Sequence, residues 1–148
     1  SWFDWRLVES NREMLRFSRE LIALRRRHPS LTRSHFFTGR PIPSRGIPDI
    51  AWYGPGLAPP SWHDVDLRFL ACTIAGLTPD EEDLHLLINM SQNEIRAQLP
   101  SIANRRWHVA LDTGARPPGD ISARADQRQC AEALYPVEPR SVVVLEAR

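Results

Sequence analysis

Only one stretch of this chain keeps a helical period. Within residues 2–29 (WFDWRLVESNREMLRFSRELIALRRRHP), Met14, Phe17, Leu21 and Leu24 fall at i, i+3, i+7 and i+10, and Leu15 and Ile22 widen the same stripe. Ser10 followed by Glu13 predicts a capping box at the start. Pro29 lacks an N–H donor and pushes His28 out of the α region, which predicts the end. The opposite face carries Arg12, Arg16, Arg19, Arg26 and Arg27, with Glu13–Arg16 and Arg16–Glu20 spaced to pair. Such a helix needs an apolar surface to lie against.

The rest of the chain has a different period. Residues 30–48 contain Phe36, Phe37, Gly39, Pro41, Pro43, Gly46 and Pro48 and read as a linker with aromatic anchors. Residues 49–53 (DIAWY) predict a short strand closed by Gly54-Pro55-Gly56, and a second turn at 58–61 leads into WHDVD. Residues 67–75 are apolar on both faces, as a central strand buried on both sides would be. The acidic run 79–83 predicts a solvated turn. Leu84, Leu86, Ile88 and Met90 alternate, as do Ile95, Ala97 and Leu99, and the short Ser91-Gln92-Asn93 loop predicts an antiparallel hairpin between them. Trp107, Val109 and Leu111 mark a further strand, residues 114–129 a long and mobile loop, and residues 141–146 a Val-rich last strand. The expected fold is mainly β: an antiparallel β-sandwich over residues 49–148, preceded by one long amphipathic α-helix.

Composition adds bounds rather than identity. A chain of 148 residues, 42% apolar and 25% charged, suits one domain or a short appendage plus a small domain. Charge is uneven: residues 1–48 carry ten Arg against Asp4, Glu9, Glu13 and Glu20, and the remainder nine Arg against fourteen acids. The basic third has its Arg on one helix face with interleaved acids and no recognised motif, which argues against nucleic acid as a partner. Cys72 and Cys130 make no disulfide framework, and Cys72 lies in an apolar run where a small buried hydrophobe is expected. No apolar run approaches the roughly 20 residues that span a bilayer, so no membrane partner is expected. The opening Ser1-Trp2-Phe3-Asp4, without Met, reads as the interior of a longer protein.

Candidate chemistry is thin. Glycosidic hydrolysis needs two carboxylates set across a substrate. Glu9, Glu13 and Glu20 belong to a cap or a charged face, the carboxylates of 80–83 to a turn, and Asp64 and Asp66 to a loop. His28, His35, His63, His85 and His108 are scattered and lack ligand spacing with either Cys. There is no G-x-S-x-G around Ser141 and no Gly-rich phosphate loop. The reading is therefore no catalytic residue, no metal site and no cofactor. Five tryptophans remain. Trp107 and Trp52 alternate with apolar residues and are expected in the core; Trp62 lies in a loop, where anchoring and sugar contact are both open. Trp2 and Trp5 flank Asp4 ahead of the helix, covering its start or lining the rim of a site completed elsewhere.

The order of these residues carries a resemblance. Trp2-Phe-Asp-Trp5, a helix with Leu21-Ile-Ala-Leu-Arg-Arg-Arg-His-Pro29, and Phe36-Phe37-x-Gly39 open the series. It continues through Asp49-Ile-x-Trp52, Trp62, Leu87-Ile-Asn89, Leu99-Pro100, Trp107, Asp112-Thr113 and Arg140-Ser141-Val142. In that order they resemble the C-terminal end of bacterial glycogen-debranching enzymes of the isoamylase type, in the α-amylase superfamily. The resemblance implies a cytoplasmic parent enzyme that hydrolyses α-1,6 branch linkages with a (β/α)8 barrel. Residues 1–29 would then be the last loop and helix of that barrel, 30–48 a linker and 49–148 the C-terminal β-domain. None of the family's catalytic positions falls in this chain, so no catalytic residue is carried over. The implied partner is the upstream barrel, and Trp2, Asp4, Trp5 and Trp62 are the candidate substrate contacts. Two further readings stand beside it: a β-sandwich module holding α-glucan through exposed Trp, and a free-standing interaction protein. An unpartnered helix stripe predicts docking on the β-domain or self-association, since each buried apolar side chain contributes about 1.5–3 kcal/mol.

Overall fold

The Val-rich strand Ser141–Ala147 is an interior strand of the larger sheet. Its alternate residues are apolar on both faces, so it is buried on both and takes a neighbour on each edge. The computed structural model, which describes Trp2 and residues 4–148, has two α-helices and seven strands, this one included. They are α1 (Leu7–Ser10), α2 (Arg12–Arg27), β1 (Ile50–Tyr53), β2 (Phe69–Ile74), β3 (Asp83–Asn89), β4 (Ile95–Gln98), β5 (Trp107–Asp112), β6 (Leu134–Val137) and β7 (Ser141–Ala147). Five strands form one antiparallel sheet in the order β1-β2-β3-β7-β5, and β4 pairs with β6 in a second. No helix among the described residues is long and apolar enough to cross a membrane.

The two faces of the large sheet bury two clusters. Phe69, Leu87, Trp107, Val109, Val143 and Leu145 meet Ala97, Leu99, Tyr135 and Val137 of the β4–β6 side. On the other face Cys72, Ile74, Leu84, Leu111 and Val144 meet Leu24 of α2 and Ile121. The fold is thus an antiparallel β-sandwich preceded by a helix, as the periodicity predicts. Leu87 is fully buried at the centre of the first cluster. Leu87→Ala is expected to lower stability by about 2–5 kcal/mol through lost transfer energy and a residual cavity. A urea titration checks this: the midpoint falls at unchanged slope.

The hairpin between residues 84–90 and 95–99 does not form. The alternation in both strands is real, but β3 pairs with β2 and β7 while β4 crosses to β6. β3 is largely buried on both faces and has β2 on one edge and β7 on the other, which leaves β4 no free edge there. Buried Asn89 makes the turn between layers. Its amide donates to the carbonyls of Asn93, Val137 and Glu138, and its Oδ1 accepts from the N–H and hydroxyl of Ser91. β6 escapes the sequence reading because it is four residues long and contains Pro136, which an edge position tolerates.

Other local expectations also change. The capping box is absent: Ser10 ends α1 and donates its hydroxyl to the Leu7 carbonyl, while Glu13 pairs with Arg16. Asn11 stands at the start of α2 without a side-chain cap. The end is as predicted, with His28 extended ahead of Pro29. Residues 114–129 are fastened rather than loose. They run along the edge of β5, exchanging hydrogen bonds between Asp112 N–H and the Asp120 carbonyl, Ser122 N–H and Ala110, and Val109 N–H and Arg128, with Asp120, Ile121 and Gln127 buried. Within residues 30–48, the Asp49 carboxylate accepts from the N–H groups of Thr38 and Gly39 and from Arg33. Burial pushes its pKa up, but these donors win and hold it below the usual value. Gly39 reaches that carboxylate with φ of 70°, a left-handed conformation that favours glycine.

Candidate functional site

The predicted apolar stripe of α2 splits into two faces. Phe17 and Leu24 turn towards the sheet, with Leu24 buried among Cys72, Ile74, Leu84 and Val144. Met14, Leu21 and Ile22 are exposed, and Leu7 of α1 joins them. Leu7, Met14 and Leu21 fall seven residues apart, so they line one side of the helical segment. Leu21 and Ile22 also rim a groove of about 490 Å3, whose floor is Leu31, Leu84, Leu86 and Val144. The Arg face is not uniformly solvated either. Arg16 bonds Asp120 at 2.5 Å and Arg27 bonds Glu146 at 2.5 Å, so two of the five predicted surface cations fasten the helix to the β-domain. Arg16 does not pair with Glu20 as spaced; its partners are Glu13 and Asp120.

A buried polar constellation joins the end of α2 to β7. Glu146, fully buried, accepts from Arg27 Nε at 2.9 Å, lies 2.8 Å from His28 Nε2, and accepts from Gln127 Nε2 at 2.7 Å. Glu82 lies 3.9 Å from the same His28 nitrogen and pairs with Arg124. Burial pushes the Glu146 carboxyl up, but the hydrogen bonds from His28 and Gln127 and the Arg27 charge prevail and hold it down at about 2. One ligand atom each of His28, Glu82 and Glu146 falls within 4.8 Å of the others, the donor set of a small metal site. The surrounding charges argue against that use. Arg27 and Arg124 already neutralise the two carboxylates, so a divalent ion would meet two guanidinium groups. The cluster is an ion-paired clamp. Sequence reasoning missed it because its members lie 118 residues apart, with no local spacing to betray them.

Three further carboxylates hold partners within the fold. Asp83, expected in a solvated turn, is fully buried and holds Arg45 and Arg105. Glu81 accepts from the N–H groups of Ser30 and Leu77, and Asp64 from the N–H of Asp66. Among the predicted contacts, Trp2 and Trp5 are exposed, and Asp4 between them accepts from Arg6, which holds its pKa below the usual value. Phe3 lies outside the described residues. Trp107 is buried, with its indole N–H donated to the Pro100 carbonyl, and Cys72 is buried with its thiol pushed up to about 11. Trp52 departs from expectation. It is 40% exposed and stands beside Trp62, 58% exposed, with ring centroids 5.9 Å apart and planes at 77°. Four-residue β1 lies at the sheet edge, so Trp52 has a strand on one side only.

The family model for the C-terminal domain of isoamylases 1–3 matches residues 51–145. The chain belongs to this isoamylase C-terminal family. A glycogen operon protein GlgX homolog of Mycobacterium tuberculosis (strain ATCC 25618 / H37Rv) is 31% identical over 160 aligned positions, covering 98% of this chain and 22% of that protein. Isoamylase 2, chloroplastic, of Oryza sativa subsp. japonica is 26% identical over 158 positions, covering 98% of this chain and 19% of that protein. The chain spans about a fifth of the length of the curated relatives it matches. The family match begins within β1 and ends within β7, so it takes in both sheets, whereas the similarity to the relatives also runs through α2.

Proposed function

We propose that this chain is the non-catalytic C-terminal part of a glycogen-debranching hydrolase that cleaves α-1,6-glucosidic bonds. In this reading residues 1–29 complete the catalytic barrel, residues 30–48 link, and the β-domain of 49–148 stabilises the barrel by holding its last helix. The observation that carries it is the two-sided helix: α2 is clamped to the β-domain through Leu24, Arg16 and Arg27, while its Met14, Leu21 and Ile22, with Leu7 of α1, stay exposed. A helix apolar on two sides is a layer between two bodies. The similarity to a glycogen operon protein and to an isoamylase supports the substrate class. A cytoplasmic location goes with that reading.

Two measurements test it. The isolated chain should release no linear chains from a branched glucan; clear release would overturn the non-catalytic assignment. In the whole enzyme, Leu21→Arg with Ile22→Arg should lower the melting temperature and the debranching rate. The same pair in the isolated chain should leave its circular dichroism unchanged, because both side chains are already exposed. An unaltered whole enzyme would mean that the open stripe faces solvent.

A further inference from the structure

Neither the clamp nor the helix stripe involves the tryptophan pair at the sheet edge. From its geometry we infer that Trp52 and Trp62 form a binding site for a linear α-glucan segment. The choice of ligand rests on the debranching reading above; the surface itself does not. Two exposed indoles at 77° make a corner with one ring face and one wall. A pyranose ring has an apolar C–H face and a rim of hydroxyls. Its face lies against an indole, and its rim needs donors and acceptors close by.

The surroundings supply both kinds of group. His63, Asp64 and Asp66 follow Trp62 in the same exposed loop, and Arg68 is exposed beyond them. A dry protein contact would leave these charges desolvated and poorly paired, whereas a hydroxylated ligand can bond them. The loop is also built to hold its shape. Trp62 N–H donates to the Pro60 carbonyl, Asp64 N–H to Ser61, Asp66 N–H to the Asp64 carboxylate, and Arg68 to the carbonyls of Val65 and Leu67. Trp62 is therefore presented on a tied turn, and Trp52 on a strand, so little ordering is needed on binding.

The test uses the 148-residue chain with maltoheptaose in solution and glycogen in a native gel. The wild type should be retarded by glycogen, and millimolar maltoheptaose should blue-shift its tryptophan emission as exposed indoles are covered. Trp62→Ala should weaken binding at least about tenfold, equivalent to about 1.4 kcal/mol. Trp62→Phe should retain part of the affinity, since an aromatic face remains. Leu21→Arg should leave glucan retardation untouched, which separates this site from the helix stripe. Unretarded migration of the wild type with unchanged emission would overturn the inference. So would a Trp62→Ala chain that keeps its circular dichroism and its full retardation. A further contrary result is loss of association with the rest of the enzyme on Trp62→Ala without any glucan binding by the wild type; the pair would then be a protein contact. None of these outcomes bears on whether α2 docks to a catalytic barrel.

Discussion

Glu146→Ala is expected to remove about 3–5 kcal/mol of stability, because it leaves Arg27, His28 and Gln127 without their shared acceptor at a site closed to water. Part of the loss falls on the helix itself, since Arg27 and His28 are the last tie between α2 and β7. Urea denaturation of the wild type and variant measures it, and a difference below about 1 kcal/mol would place the clamp among ordinary surface pairs. The same residue sets an acid limit. Its folded pKa of about 2 lies below the ordinary 4.5, so its contribution is complete above pH 4.5 and is lost as pH falls towards 2. His85 acts earlier. Burial lowers its pKa from 6.5 to about 4, so the fold holds it neutral while the unfolded chain takes up the proton. Stability should therefore decline from pH 6.5 to 4, and again from 4.5 to 2. His85→Phe should flatten the first decline only, keeping the ring against Trp107, now 5.5 Å away between centroids.

Asp83→Ala should destabilise by a similar amount, about 3–5 kcal/mol. Its carboxylate receives Arg45 at 2.5 and 2.9 Å, Arg105 at 3.1 Å and the Gly76 N–H at 2.8 Å, with no exposure to solvent. The guanidinium groups of Arg45 and Arg105 would lose their common partner. Gly76 adds to the sensitivity. A Cβ there would approach the Glu81 carbonyl oxygen at 2.7 Å, so the β2–β3 turn cannot relax by taking a larger residue. Thermal unfolding of Asp83→Ala and Asp83→Asn separates the terms: Asn keeps acceptors for Gly76 but not the charge, and should recover only part of the loss.

The elements of this fold were largely readable from local periodicity, and the pairings were not. β1, β2, β3, β5 and β7 each announce themselves by alternation or a doubly apolar run, because side chains on a strand face opposite ways whatever strand lies beside them. That same fact makes the partner invisible. Ile95, Ala97 and Leu99 alternate equally well against β3 or β6, and Asn89, through contacts to Val137 and Glu138 far along the chain, selects β6. Trp52 departs from the core for a related reason: alternation assigns it a face, but an edge position leaves that face open. The resemblance placed the chain in its family through an ordered series of residues, which long-range geometry does not disturb.

The helix shows where local information ends. Its length, its stop at Pro29 and its apolar stripe follow from residue spacing, since all three depend on neighbours within a few positions. Which half of the stripe is buried, which two of its arginines become ties, and that an acidic run hides the buried Asp83 depend on groups brought together from opposite ends of the chain. Coulomb and desolvation energies act through space, and only the folded chain sets those distances.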